Sequence, residues 1–192
     1  MARLIAITGG IGSGKSVVAQ LLRVMGYEVY DCDSRAKELM VSSPELRRDL
    51  IAAFGADVYT DGGLNRPYLA ARVFADAAAL AHLNSIVHPA VVADIKRWRS
   101  TTKPHRGLLF VETAVLRESG VEWLVDGVIV VTAPTELRIA RVMSRNGATR
   151  EQVEARIAAQ GDFLFPDSRE IVNDERHALI PQLRELLNHY TC

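Results

Sequence analysis

Near the start of the chain, Gly9-Gly10-Ile11-Gly12-Ser13-Gly14-Lys15-Ser16 sets four glycines, an ammonium and a hydroxyl in the spacing G-x-x-x-x-G-K-[ST]. Glycine lets the backbone curl until successive N–H groups point inward, a concavity that suits phosphate oxygens. A helix starting at this point adds its positive N-terminal end. The expected nucleotide contacts are therefore Gly10, Ile11, Gly12, Ser13, Gly14, Lys15, Ser16 and Val17. Lys15 is placed to reach the β- and γ-phosphates of a nucleoside triphosphate, and the Ser16 hydroxyl to ligate Mg²⁺. The motif says nothing about what accepts a phosphoryl group.

Two further groups of residues could do chemistry. Asp31-Cys32-Asp33 ends the second apolar run of the chain. Alternation along a strand puts both carboxylates on one face at the carboxyl edge of a sheet, where a general base or a metal-water ligand would stand. Asp33 would serve equally well as N-cap of a helix over Ser34 to Met40, and the pattern leaves both readings open. Arg138, Arg141 and Arg145 share one helical face, and Arg150 follows the Asn146-Gly147 break. Four arginines without an acid between 137 and 150 suit a lid that offsets charge on a transferring phosphoryl group. The same stripe could instead be a solvated face paired with Glu136, Glu151 and Glu154.

These residues must be positioned by strands and helices. Short apolar runs at 3–8, Tyr27 to Tyr30, Gly107 to Val111 and Gly127 to Thr132, with a weaker one at Glu170 to Val172, alternate with helix-length amphipathic stretches. That alternation predicts an α/β fold with a parallel five-stranded sheet flanked by helices. About 75 residues without a strand signal separate the second and third runs, far more than one crossover needs. An inserted helical lobe is expected over 35–103, with the core at 1–34 and 104–192 and a lid at about 138–168. Within the lobe, Pro44 opens a helix ending at Gly55, Asp61-Gly62-Gly63 turns, and Asn65 caps a helix that carries Pro67 in its first turn. Helical pattern continues to about Trp98. Pro134 opens a helix through Arg145, Thr149 with Gln152 forms a capping box, and Leu183, Leu186, Leu187 and Tyr190 mark a last helix.

Composition narrows the class. At 192 residues, 48% hydrophobic and 24% charged, the chain closes one substantial core and a small lobe, which excludes two large domains. Lys plus Arg (23) equals Asp plus Glu (23), so no global field draws the chain to nucleic acid or an anionic membrane. The aromatic fraction of 6% argues against a stacking platform for single strands. Cys32 and Cys192 make no disulfide framework and no metal cluster, and no apolar run approaches a membrane span. A soluble cytoplasmic protein is expected, as a monomer or weak homo-oligomer without nucleic-acid or membrane partners. Cys32 reads as a small buried residue; Phe74, Leu83 and Trp98 as lobe core; His82, His105, His177 and His189 as surface.

In combination these segments resemble the dephospho-coenzyme A kinases over nearly the whole chain. Thr8 to Ser16 is similar to that family's phosphate loop, and Asp31-x-Asp33 to its Asp-x-Asp. Leu64-Asn65-Arg66-x-x-Leu69-Ala70-x-x-Val73-Phe74 resembles its (I/L)-D-R-x-x-L-A-x-x-V-F, and His88-Pro89 its His-Pro. Arg141-x-x-x-Arg145, then Arg156-Ile157-x-x-Gln160, is similar to its lid pattern. Three departures stand out. Glu112 to Glu118 replaces D-x-P-L-L-x-E without its proline, Asn65 replaces an acid, and the stretch after Gln160 is shorter, with no recognisable Ala-Asp before the last strand. The resemblance implies a P-loop core, a lobe that takes part in binding the coenzyme A moiety, and a mobile lid. It implies transfer of the ATP γ-phosphoryl group to the ribose 3′-hydroxyl of dephospho-coenzyme A with Mg²⁺. Asp33 would be the general base, with Lys15, Arg141 and Arg145 acting on the phosphoryl group. Arg66 and His88 would bind substrate, and Glu112 would join Ser16 at the metal through water. A kinase for another hydroxyl or nucleotide acceptor is the alternative. A regulatory P-loop switch is a weaker one, because no Asn-Lys-x-Asp run exists.

Overall fold

A computed structural model describes residues 2–191, so Cys192 lies outside the described residues. Along the chain come β1 (Arg3–Thr8), α1 (Lys15–Val24), β2 (Val29–Asp31), α2 (Cys32–Ser42), α3 (Pro44–Phe54), β3 (Tyr59–Thr60), β4 (Gly63–Leu64), α4 (Arg66–Ala75) and α5 (Ala77–Thr101). There follow β5 (Leu108–Glu112), β6 (Gly127–Thr132), α6 (Thr135–Asn146), α7 (Arg150–Ala159), β7 (Arg169–Val172) and α8 (Leu179–Thr191). The chain divides into two compact units. One runs to Tyr30 and resumes over Thr102–Leu116 and from Glu122 onward; the other is Asp31–Thr101 with Arg117–Val121. The first boundary thus falls at Asp31 rather than after residue 34, and the excursion 117–121 belongs with the helices.

The first unit is a parallel five-stranded sheet in the order β2-β5-β1-β6-β7. β1 pairs with β5 and β6, and β6 with β7, all parallel. Strands covered on both faces need unbroken apolar runs, and Leu4, Ile5, Ala6 and Ile7 of β1 are fully buried. Ile5, Ile7, Leu108, Phe110, Ile129 and Val131 meet Val18 and Leu22 of α1 and Leu183, Leu186 and Leu187 of α8 on one face. Each such side chain contributes about 1.5–3 kcal/mol by leaving water. The chain leaves β1 toward β2 on one side and β6 toward β7 on the other, which opens the crevice where α/β sheets bind ligands.

The second unit is helical, with α5 in contact with α2, α3 and α4. It buries Leu46, Leu50, Phe54, Leu69, Val73, Val87, Val91 and Ile95. Asn65 caps α4, as the sequence predicts, and Ser43 caps α3, which opens at Pro44 as expected. Three expectations change. The segment holds a small antiparallel hairpin, β3–β4, around the Asp61-Gly62 turn. The long helical pattern breaks at Asp76 into α4 and α5. Phe74, expected in the core, is 88% exposed, whereas Leu83 and Trp98 are half-buried. By length and composition α5 is long and apolar enough to cross a membrane, and it is the helix on which α2, α3 and α4 converge.

Gly127, at the start of β6, is pressed against α8. A β-carbon there would lie 2.8 Å from Cε1 of the buried Tyr190 ring. Gly127→Ala should therefore cost about 1–3 kcal/mol in a denaturant melt, and an unchanged midpoint would show that α8 yields freely.

Candidate active site

The phosphate loop leaves the carboxyl end of β1 and closes into α1. Ser13 N–H donates to Gly10 O at 3.1 Å, making the turn, and Gly12 and Gly14 take the left-handed conformations (φ 77° and 95°) that side chains resist. Space excludes side chains as well. A β-carbon on Gly12 would lie 2.5 Å from the Arg138 carbonyl oxygen, and one on Gly14 would collide with the Asn173 amide. α1 begins at Lys15 with Gly14 as its cap, so no side chain accepts from its first N–H groups, and its first turn carries no acid. The positive end of the helix is left facing the loop. The Lys15 ammonium folds back to donate to Gly9 O (2.7 Å) and Gly10 O (3.2 Å). Ser16 and Val17 are exposed on the first turn. Thr8 Oγ1 and Ser13 Oγ are buried without a partner, an arrangement that a bound oxyanion or water would satisfy.

Side chains from outside the motif hold the loop in this shape. Ile11 is fixed three ways. Its N–H donates to Gln160 Oε1 at 2.7 Å, its carbonyl accepts from Arg138 Nε at 2.9 Å, and its side chain joins Ile139, Val142 and Val153 of α6 and α7. Arg138 Nη2 reaches the same Gln160 oxygen at 3.4 Å. Burial pulls the Arg138 guanidinium below its ordinary range, yet a guanidinium stays charged near neutrality. Asn173, buried just past β7, donates from Nδ2 to Ser13 O at 2.8 Å. Arg141 donates to Asn173 O (3.2 Å) and Oδ1 (3.4 Å), to Glu175 Oε1 (3.1 Å) and weakly to Gly12 O (3.5 Å). Next along the chain, Asp174 accepts the backbone N–H groups of His177 and Arg176 and touches the His177 ring, which holds its carboxyl well below the usual range.

The arginine stripe therefore divides. Arg138 and Arg141 lie on the loop. Arg145 is exposed and donates to the neighbouring Asn146 side chain at 3.1 Å. Arg150 is paired with Glu136 (2.7 Å) and Glu154 (3.1 Å), which push its proton affinity up, Glu136 most. For Arg150 the solvated-pair reading is correct. Glu112 ends β5 in register with Ile7 of β1, one residue before Thr8 and the loop.

The remaining predicted residues belong to the helical unit. There the aspartates are not strand neighbours: β2 stops at Asp31 and α2 starts at Cys32. Asp31 is the N-cap, accepting Ser34 N–H at 2.9 Å and the Ser34 hydroxyl at 3.0 Å. The expectation that both carboxylates share a face fails, and the capping role considered for Asp33 is taken by Asp31. Asp33 is exposed in the first turn of α2, and its side chain makes neither hydrogen bond nor ion pair among the described residues. Arg66 is the first residue of α4 and exposed. His88 lies within α5, its Nδ1 3.2 Å from Glu118 O. Cys32 is buried, as expected.

Asn173 escaped the sequence reading altogether, and Arg138 and Gln160 entered it only as parts of patterns. Their work is done on backbone atoms far away in sequence, which no local motif records; the one available signal was a polar residue at the carboxyl edge of the last strand.

A parallel sheet with this loop on its central strand and an arginine-bearing helix pair against it defines a P-loop kinase. Deoxyadenosine kinase from M. mycoides with bound dATP shares the fold at 15% identity and a TM-score of 0.52. A family model described as dephospho-CoA kinase matches residues 3–163, and the chain belongs to that family. The chain is 39% identical to a dephospho-CoA kinase of Bacteroides fragilis (strain YCH46), covering 100% of this chain and 98% of the relative. It is 40% identical to one from Porphyromonas gingivalis, covering 95% and 92%. Among solved structures it is similar to the dephospho-CoA kinase from Campylobacter jejuni (25% identity, TM-score 0.64, 99% and 96% covered). A Thermus thermophilus protein gives 34% identity and a TM-score of 0.76 over 98% and 96%.

Gly12→Ala tests the close fit of loop to α6. ATP affinity measured by calorimetry should fall about tenfold or more and the thermal midpoint should fall with it, because the β-carbon meets the Arg138 backbone and the left-handed conformation strains an alanine. Wild-type affinity would mean that the loop has room to spare.

Proposed function

We propose that this chain transfers the γ-phosphoryl group of ATP to the ribose 3′-hydroxyl of dephospho-coenzyme A, with Asp33 as the general base. The observation that carries this reading is the division of labour between the two aspartates. Asp31 spends its carboxylate on capping, whereas Asp33, in the first turn of α2, has both oxygens uncommitted among the described residues. In this role Asp33 orients the acceptor hydroxyl for in-line attack and takes its proton as the new O–P bond forms and the bond to the ADP oxygen breaks.

The loop from Gly10 to Val17 holds the phosphates; the N–H groups of Ile11, Ser13 and Val17 are given to Gln160 Oε1, Gly10 O and Gly14 O, so the rest of its backbone, with Lys15 and Ser16, carries the contact. Lys15 exchanges the Gly9 and Gly10 carbonyls for β- and γ-phosphate oxygens, a small movement of a flexible side chain. Arg141 and Arg145 then offset the charge that develops on the phosphoryl group. Arg141 would release Glu175 to do so, and Arg145 would release only Asn146. Arg66 and His88 are assigned to the coenzyme substrate, as a phosphate ligand and a hydrogen-bonding ring.

Mg²⁺ fits the donors present. No group of three or more His, Cys, Asp or Glu residues suited to a metal exists among the described residues, which matches a hard cation carried mainly by triphosphate and water. Ser16 would ligate it directly and Glu112 through water. When bound, it screens the β- and γ-phosphate charges and orients them.

Purified protein should release ADP from ATP-Mg²⁺ with dephospho-coenzyme A and not with AMP, pantothenate, shikimate or water alone. Absence of acceptor-dependent ADP with dephospho-coenzyme A would sink this reading. Asp33→Asn should lower the turnover number by about two to four orders of magnitude with nucleotide affinity kept. Near-normal turnover would remove Asp33 from the chemistry. In single turnovers Arg141→Ala should slow the transfer step more than it weakens ATP binding, and an unchanged rate would confine Arg141 to holding Asn173.

A further inference from the structure

The helix that carries Asp33 is held by little apolar surface. Of its residues only Cys32 and Leu39 are buried, so one small side chain, Cys32, is all the apolar burial at the end where Asp33 sits. A charged contact adds to it. Asp94 of α5 is 6% exposed, one of few buried polar side chains in the helical unit. Arg35 of α2 approaches it with Nη2 and Nε, 2.8 and 3.1 Å from Asp94 Oδ2, while Arg97 lies 3.3 Å from Oδ1. Arg35 Nη1 also reaches Glu38 at 2.6 Å, which aligns the guanidinium along α2.

We propose that Asp94, through Arg35, is a positioning residue for Asp33. The inference rests on the general-base reading of Asp33. Residues two apart on a helix point about 200° apart, so clamping Arg35 onto α5 turns Asp33 outward on the opposite side of α2. The Asp31 cap fixes where the helix starts, and the Arg35–Asp94 pair fixes how far it is turned. An ion pair with one buried partner is a poor source of stability compared with apolar side chains of the same volume, but its geometry is directional. That suits a helix whose orientation matters more than its adhesion. A general base displaced by about 1 Å can lose a hundredfold in rate.

The test is the turnover number, the KM for each substrate and the thermal midpoint of Arg35→Met, Asp94→Asn and Asp33→Asn, and of each of the first two combined with Asp33→Asn. Arg35→Met is the second route if Asp94→Asn does not fold, because its side chain is 40% exposed. The expected result is a turnover number about tenfold to a hundredfold lower in Arg35→Met and Asp94→Asn, with KM for ATP within about twofold. Neither should lower turnover further once Asp33 is Asn. A folded Arg35→Met or Asp94→Asn with normal turnover, beside an impaired Asp33→Asn, overturns the positioning role alone. So does a full additional loss in the Asp33→Asn background, because the pair would then act on something other than Asp33. Normal turnover in Asp33→Asn overturns the general-base reading and this inference with it.

Discussion

Ile11 is the residue on which the site depends. A phosphate loop binds only if enough of its N–H groups stay turned inward, and the rest of its backbone must then find partners on the outside. Here the protein supplies them: Arg138 to Ile11, Asn173 to Ser13, Arg141 more weakly to Gly12. Ile11 adds an apolar anchor among Ile139, Val142 and Val153, so α6 and α7 share a small core with the loop they flank. Gln160 closes the circuit by accepting both the Ile11 N–H and Arg138. The cost of shaping the loop is thus met in the folded protein, before any nucleotide arrives.

Charge follows the same logic. The chain is neutral, yet Lys15, Arg138 and Arg141 lie on the phosphate loop, where each is already occupied with backbone carbonyls. Lys15 rests on the Gly9 and Gly10 carbonyls, and Arg141 on Asn173 and Glu175. Arg150 shows the opposite case, a cation neutralised by Glu136 and Glu154 and therefore spent on holding α6 to α7. Sequence spacing alone cannot tell these uses apart, since all four arginines share the same stretch.

How much could be read in advance follows from the range of each interaction. The strands were legible because parallel strands buried on both faces write continuous apolar runs: β1 and β6 fall where the runs do. Caps at Asn65 and Thr149 were legible because they act over three residues. The start of α2 was missed by two residues, since Asp31 and Asp33 are both good caps and only the fold chooses between them. Phe74 was misplaced because helical periodicity cannot say which apolar face lacks a neighbour. The clamps on the loop were out of reach, spanning 127 positions from Arg138 to Ile11 and 160 from Asn173 to Ser13.

The claim that the loop is shaped from outside, before ligand binds, is tested most directly by the affinity of Asn173→Ala for inorganic tripolyphosphate, a ligand with no base to make other contacts. Loss of the Nδ2 donor leaves the buried Ser13 carbonyl unpaired and should weaken binding about tenfold, with a lower thermal midpoint as the folded protein loses the clamp. Wild-type affinity in that variant would contradict the claim and show that the loop holds its shape without its clamps.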